Sequence, residues 1–151
     1  MSYVCVDSGF MIGLYDESDQ YHKRAEEHFS NYLDNGLNQL LVPWPILYES
    51  VSTQMVKSRN RIVTLERDWK RLQASGQLNL LDDRDFRLNA MDECLAEAQH
   101  SPGRYRALSL ADRVLRSILS DVDIRVDVLI TFNEKDFADV CGRRGQILVG
   151  K

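Results

Sequence analysis

Four carboxylates in this sequence stand where acids can gather around a cation: Asp7, Glu49, Asp112 and Asp136. Asp7 directly follows the apolar run Tyr3-Val4-Cys5-Val6. Glu49 lies about one turn into a helix opened by Pro43 and Pro45, because proline fits the first helical turn. Asp112 falls in the first turn of a helix starting at Ser109. Asp136 follows an apolar run ending at Thr131, through Phe132-Asn133-Glu134-Lys135. In an open parallel sheet, ligands bind beyond the carboxyl ends of the strands, and all four acids sort to that end. Each also has an ordinary explanation. Asp7 or Ser8 can cap a helix, and Ser109-Leu-Ala-Asp112 fits a capping box. Glu49 can be a solvated helix residue, and Asp136 one loop acid among several. Together, however, they form a negative cluster that a cation would compensate. All-oxygen ligands select hard cations such as Mg²⁺ or Mn²⁺, which sit beside substrate phosphates. Such an ion lowers the pKa of a water and stabilises an oxygen leaving phosphorus.

The elements that must position these acids are legible in the apolar pattern. Continuous short runs at Tyr3–Val6, Leu40–Val42, Leu78–Leu81, Val126–Ile130 and Ile147–Val149 read as strands covered on both faces. Phe10 to Leu14 continue from Asp7-Ser8-Gly9 as a helical turn. Tyr21, Ala25, Phe29, Tyr32 and Leu33 recur at helical spacing and stop at Asn35-Gly36. The helix after Pro45 carries Leu47, Val51 and Met55 on one stripe. Ile62, Leu65, Trp69 and Leu72 make the stripe of the next, which ends at Ser75-Gly76. Phe86, Ala90, Met91, Cys94, Leu95 and Ala98 mark another amphipathic helix before a loop at Ser101-Pro102-Gly103. Ala111, Val114, Leu115, Ile118 and Leu119 give the clearest helix face in the chain. On that helix Asp112 flanks the apolar face, whereas Arg113 and Arg116 are expected to point elsewhere. Strands alternating with helices imply right-handed crossovers and helices on both faces of a central parallel sheet. One domain spanning 1–151 is expected.

Composition narrows the class. The chain has 151 residues, 44% hydrophobic and 28% charged, which suits a globular domain with a real core. No apolar run nears the roughly 18 residues that would span a bilayer. The opening residues lack a basic n-region and a cleavage site, so a cytoplasmic protein with no membrane partner is expected. Cys5, Cys94 and Cys141 are odd in number and contain no CxxC pair, which argues against disulfides and structural zinc. His22, His28 and His100 show no ligand or triad spacing. A net charge of −4 is unpromising for binding a phosphate backbone, which depends on Lys and Arg. Basic residues nevertheless cluster at Lys57, Arg59 and Arg61, continuing to Arg67, Lys70 and Arg71, and at Arg104, Arg106, Arg113 and Arg116. Either cluster reads as a nucleic-acid contact or as scattered surface charge.

Taken in order, Val-Cys-Val-Asp7-Ser8, Pro45-Ile-Leu-Tyr-Glu49, Ser109-Leu-Ala-Asp112 and Leu129-Ile-Thr131-Phe-Asn133-Glu-Lys-Asp136-Phe137 resemble a PIN domain. The specific likeness is to the VapC-type toxin of a bacterial toxin–antitoxin pair, and it covers essentially the whole chain. The resemblance implies a PIN-like three-layer α/β/α sandwich with a mostly parallel sheet of about five strands. It places catalytic acids at Asp7, Glu49, Asp112 and Asp136, with Asp7 and Asp112 as the Mg²⁺ ligands (Mn²⁺ possible). The fourth position is ambiguous: the T-x-D slot of the family holds Asn133 here, and Asp136 is chosen instead. Ser8 and Thr131 would support the carboxylates by hydrogen bonds, with Asn133 beside them. Arg104, Arg106, Lys57, Arg59 and Arg61 would contact RNA. Endoribonuclease activity, homodimerisation and neutralisation by a small antitoxin protein are further implications. Two alternatives stay open: a non-catalytic PIN module binding RNA or protein, and an RNA-processing nuclease that acts without a partner. An aspartyl phosphatase is disfavoured because position 9 is glycine, where that chemistry needs a second Asp. No glycine-rich phosphate loop follows the first strand.

Overall fold

The structure is a computed structural model that describes residues 1–100 and 107–151. Within them the apolar runs form β1 (Tyr3–Val6), β2 (Gln39–Pro43), β3 (Leu78–Leu81), β4 (Val128–Ile130) and β5 (Ile147–Val149). All neighbouring strands pair in parallel, in the order β3-β2-β1-β4-β5. Central β1 is covered on both faces, which explains why Val4, Cys5 and Val6 are fully buried without alternation.

The connections are helical. After β1 come α1 (Ser8–Tyr15) and α2 (His22–Leu33); after β2, α3 (Trp44–Ser50), α4 (Thr53–Val56) and α5 (Arg59–Ala74). Between β3 and β4 lie α6 (Arg87–His100) and α7 (Leu110–Ser120). A 3₁₀ turn (Glu134–Asp136) and α8 (Ala138–Arg144) lead to β5. The sheet grows from β1 through β2 to β3, then the chain crosses back to β4 on the other side of β1. With right-handed crossovers, reversing direction puts the two helix sets on opposite faces and gives three layers. Phe10, Leu14, Phe29, Leu65, Trp69 and Leu72 pack together on one side of the sheet. On the other, α7 packs against α6 and α8.

Three local expectations need correction. The stripe Leu47–Val51–Met55 does not belong to one helix, because the chain breaks at Val51-Ser52 between α3 and α4. Val51 has φ −92° and ψ 55°, outside the helical well, while the Ser50 hydroxyl bonds back to the Ile46 carbonyl at 2.6 Å. The α6 stripe is only partly covered: Ala90 packs against Val114 and Ile118, but Met91 and Leu95 remain exposed. Arg113, expected to point away from the apolar face, is buried, its Nε donating to the Leu108 carbonyl at 3.3 Å. The cysteines are all free, and burial pushes the Cys5 thiol up to about 12, so it behaves as a small hydrophobe.

Candidate active site

The direction of the sheet reverses between β1 and β4, and a doubly wound sheet opens a crevice at the carboxyl ends of the two strands flanking such a switch point. Asp7 ends β1 there and Thr131 ends β4. Asp7 is also the N-cap of α1. Its Oδ1 accepts from the Phe10 N–H at 2.9 Å and its Oδ2 from the Thr131 hydroxyl at 2.5 Å. The residue is only 1% exposed. Burial raises its pKa to about 6 against these two bonds, which favour the charged form, and nearby Glu49 raises it further.

Glu49 arrives on α3, which packs against both α1 and α7. It is exposed, and the Ser8 hydroxyl donates to its Oε1. Asp112 sits in the first turn of α7, where the Ser109 side chain caps the helix by accepting the Asp112 N–H at 3.1 Å. The Asp112 carboxyl is also raised to about 6, by burial first and then by the charges of Asp7 and Glu49, with Asp136 adding to the effect. One carboxylate thus feels the other three. This is the arrangement that the strand-end positions suggested, though capping accounts for part of Asp7 and of Ser109 as well.

Asn133 and Asp136 enter from the loop after β4. A Cβ on Gly9 would lie 3.7 Å from Asp7 Oδ1 and 3.8 Å from Asn133 Nδ2, so the Asp7 carboxylate and the Asn133 amide both border Gly9. Asp136 stands on the Asp112 side, its backbone carbonyl accepting from Arg116 Nη1 at 2.6 Å. Arg116 further grips Asp139 through two bonds of 2.7 Å, tying α7 to α8. No residue pattern signals this clamp. Nor does one single out Gly150, whose missing side chain lets Glu134 close in. A Cβ there would stand 2.6 Å from the Thr131 carbonyl oxygen. The Gly150 carbonyl accepts from the buried His28 Nε2 at 2.6 Å.

The expected basic contacts fare differently. Arg61 pairs with Asp16 at 2.8 Å, and Asp16 caps the end of α1 opposite Asp7. That pair holds Arg61 at the end of α1 away from Asp7. Arg104 and Arg106 lie outside the described residues.

Among the described residues, no group of three His, Cys, Asp or Glu side chains is placed to hold one metal ion. Mg²⁺ makes a smaller demand: one or two carboxylates, with waters and substrate phosphate completing the shell. An all-oxygen pair, Asp7 and Asp112, fits that requirement. Its uncompensated repulsion is what a divalent cation would relieve.

No family model matches this sequence, and no curated protein matches it either. Solved structures do. The Mycobacterium tuberculosis toxin VapC20, described as cleaving the sarcin-ricin loop, superposes with a TM-score of 0.64 at 15% identity, over 90% of this chain and 94% of its own. VapBC2 from Rickettsia felis, solved bound to a DNA fragment from its promoter, gives a TM-score of 0.56 at 13% identity, over 99% and 98%. No helix among the described residues is long and apolar enough to cross a membrane. In its five-stranded, all-parallel sheet, the chain has a PIN-like α/β fold, the fold of VapC20.

Proposed function

We propose that this chain is a Mg²⁺-dependent endoribonuclease working as a single domain over 1–151, and the toxin of a toxin–antitoxin pair. The observation that carries the reading is Asp112, whose carboxyl is raised by burial and by Asp7, Glu49 and Asp136 at once. Four carboxylates held together in a crevice have little use as caps alone. Fold likeness to a toxin that cleaves an RNA loop, and to a VapB–VapC assembly, supports the same reading.

In this mechanism Asp7 and Asp112 would hold the ion, the Thr131 hydroxyl and the Phe10 N–H fixing the Asp7 rotamer. Bound Mg²⁺ would supply the positive charge that acidifies the attacking water and offsets charge on the phosphate oxygens. Glu49, oriented by Ser8, would accept the proton of the attacking water while the P–O bond to the leaving ribose oxygen breaks and that oxygen takes a proton from solvent. Asp136 orients the attacking water from the opposite wall. The RNA backbone would be held by basic groups, for which Arg104 and Arg106, a few residues before Asp112 in sequence, are candidates. A small antitoxin would silence the site by covering the acidic crevice, and the active form is a homodimer.

Purified protein free of antitoxin should cut susceptible structured RNA with Mg²⁺ or Mn²⁺ and stop in EDTA. Full activity in chelator would sink the mechanism. Tight RNA binding without cleavage, with any metal, would turn the reading to the non-catalytic module that Asn133 in the T-x-D slot hints at.

A further inference from the structure

Helix α3, which carries Glu49, leaves two large aromatic rings in solvent. Trp44 is 38% exposed and Tyr48 75%. They stand four residues apart, hence on one row of the helix, with ring centroids 5.9 Å apart and planes tilted by 38°. The neighbouring i, i+4 row of the same helix is Pro45 and Glu49, so the rings and the acid are carried on adjacent rows of α3. Trp44 also follows the carboxyl end of β2 immediately, the same sheet edge on which Asp7 lies.

The rings wall a pocket of about 560 Å³ whose other side is Asp82, Asp83, Arg84 and Arg87, just beyond the carboxyl end of β3. Its charges answer one another. Arg87 Nη2 bonds Asp83 at 2.8 Å, and Arg84 Nη2 lies 3.5 Å from Asp82. A pocket with two cations and two anions so arranged offers little to a phosphate. What it offers is π surface and a rim of guanidinium planes, the combination on which unpaired bases stack.

Building on the nuclease reading, we propose that Trp44 and Tyr48 form a stacking platform for an unpaired base flanking the scissile phosphate. RNA would then run along the carboxyl edge of the sheet, from the β3–β2 side toward Asp7. Selection is by base stacking, so the platform prefers loops and single strands over duplex, whose bases are already stacked on each other.

The chain has two tryptophans, so Trp69→Phe leaves Trp44 as the sole indole reporter. A short mixed-sequence oligoribonucleotide should quench its fluorescence, and an abasic ribose-phosphate oligomer of equal length and charge should not. In cleavage assays Tyr48→Ala should raise KM about tenfold with kcat little changed, since stacking contributes on the order of tenfold or more per base. Tyr48→Phe should restore KM, because the ring and not the hydroxyl is used. Equal quenching by both oligomers would overturn the platform, and so would an unchanged KM in Tyr48→Ala while wild type cleaves. A Trp44 signal that answers only to a protein partner would do the same. A wild type that neither binds nor cuts RNA would remove the nuclease reading itself, and the platform with it.

Discussion

Asp7 and Asp112 arrive at a similar pKa, about 6, from different surroundings. Asp7 is sealed at the junction of β1 and α1, and a backbone N–H and the Thr131 hydroxyl hold both its oxygens. Burial raises it and those two bonds pull it back. Asp112 is half-buried on the first turn of α7, and there burial and the neighbouring carboxylates push in the same direction. The contrast separates preorganisation from frustration. Asp7 is a fixed point of the fold, while Asp112 carries the repulsion that a bound cation would turn into attraction.

Breaking the fixed point should have the largest effect. Asp7→Asn keeps an acceptor for Phe10 and removes the charge, so cleavage should fall on the order of a hundred- to a thousandfold, as for other single preorganised groups. The Asp112 carboxyl should then titrate nearer 3.8, by carboxyl NMR, having lost its strongest neighbouring charge. An unaltered Asp112 would mean the two acids do not sense one another. The loop comes next. Asp136→Ala should lower kcat by roughly a hundredfold, the low end of the same range, and Asn133→Ala by much less. The opposite ranking would move the fourth position to Asn133.

Stability gives the third test. For a carboxyl whose folded pKa is raised, the native state binds more protons than the unfolded chain between about 3.8 and 6. Stability from these groups is therefore lost as pH rises through that window. Taking metal-free protein from pH 7 to pH 5 should recover part of it, with a ceiling of about 3 kcal/mol for Asp7. Denaturant melts at the two pH values read this directly, and a monotonic loss on acidification in both wild type and Asp7→Asn would refute it. Fourth, Mg²⁺ at a hundredfold excess over its Kd should add about 2.7 kcal/mol near neutral pH. Asp112→Asn should raise the metal-free Tm and shrink that gain. Smallest is Thr131→Val. Losing a buried donor should cost about 1–3 kcal/mol and move Asp7 further above 6, because the hydroxyl favours its charged form.

Much of the scaffold was legible because a parallel sheet writes itself as short continuous apolar runs. Leu78–Leu81 and Ile147–Val149 coincide with the strands observed. The α7 face was equally plain, with Val114, Leu115, Ile118 and Leu119 all buried. Position at the end of β1 marked Asp7, whereas Glu49 and Asp112 are carried on helices α3 and α7. What failed was anything that depends on neighbours distant in sequence. An i, i+4 stripe passes through the Val51-Ser52 break unaltered, since Leu47 and Met55 are buried on either side of it. Periodicity on α6 could not tell that one small residue, Ala90, carries most of the packing against α7. Arg113 looked like surface charge because its acceptor, the Leu108 carbonyl, is a backbone group with no sequence signature. Trp44 and Tyr48 did carry a signal, two aromatics one turn apart immediately after Pro43, but nothing in their pattern says that the partner surface is absent.

Gly150 closes off one route of drift at a position far in sequence from every acid in the crevice. A methyl group there meets two obstacles, the Glu134 side chain and the Thr131 carbonyl. The first is the end of a flexible chain and can swing away. The second is backbone, at the foot of the loop that carries Asn133 and Asp136, and Thr131 is also the residue that holds Asp7 Oδ2. With His28 gripping the Gly150 carbonyl, the segment has little freedom to retreat. Even alanine, the mildest of replacements, would therefore act as a wedge whose displacement is delivered to the hydroxyl that holds Asp7. Any lineage that keeps this chemistry is barred from that substitution unless the whole 131–136 loop is rebuilt with it.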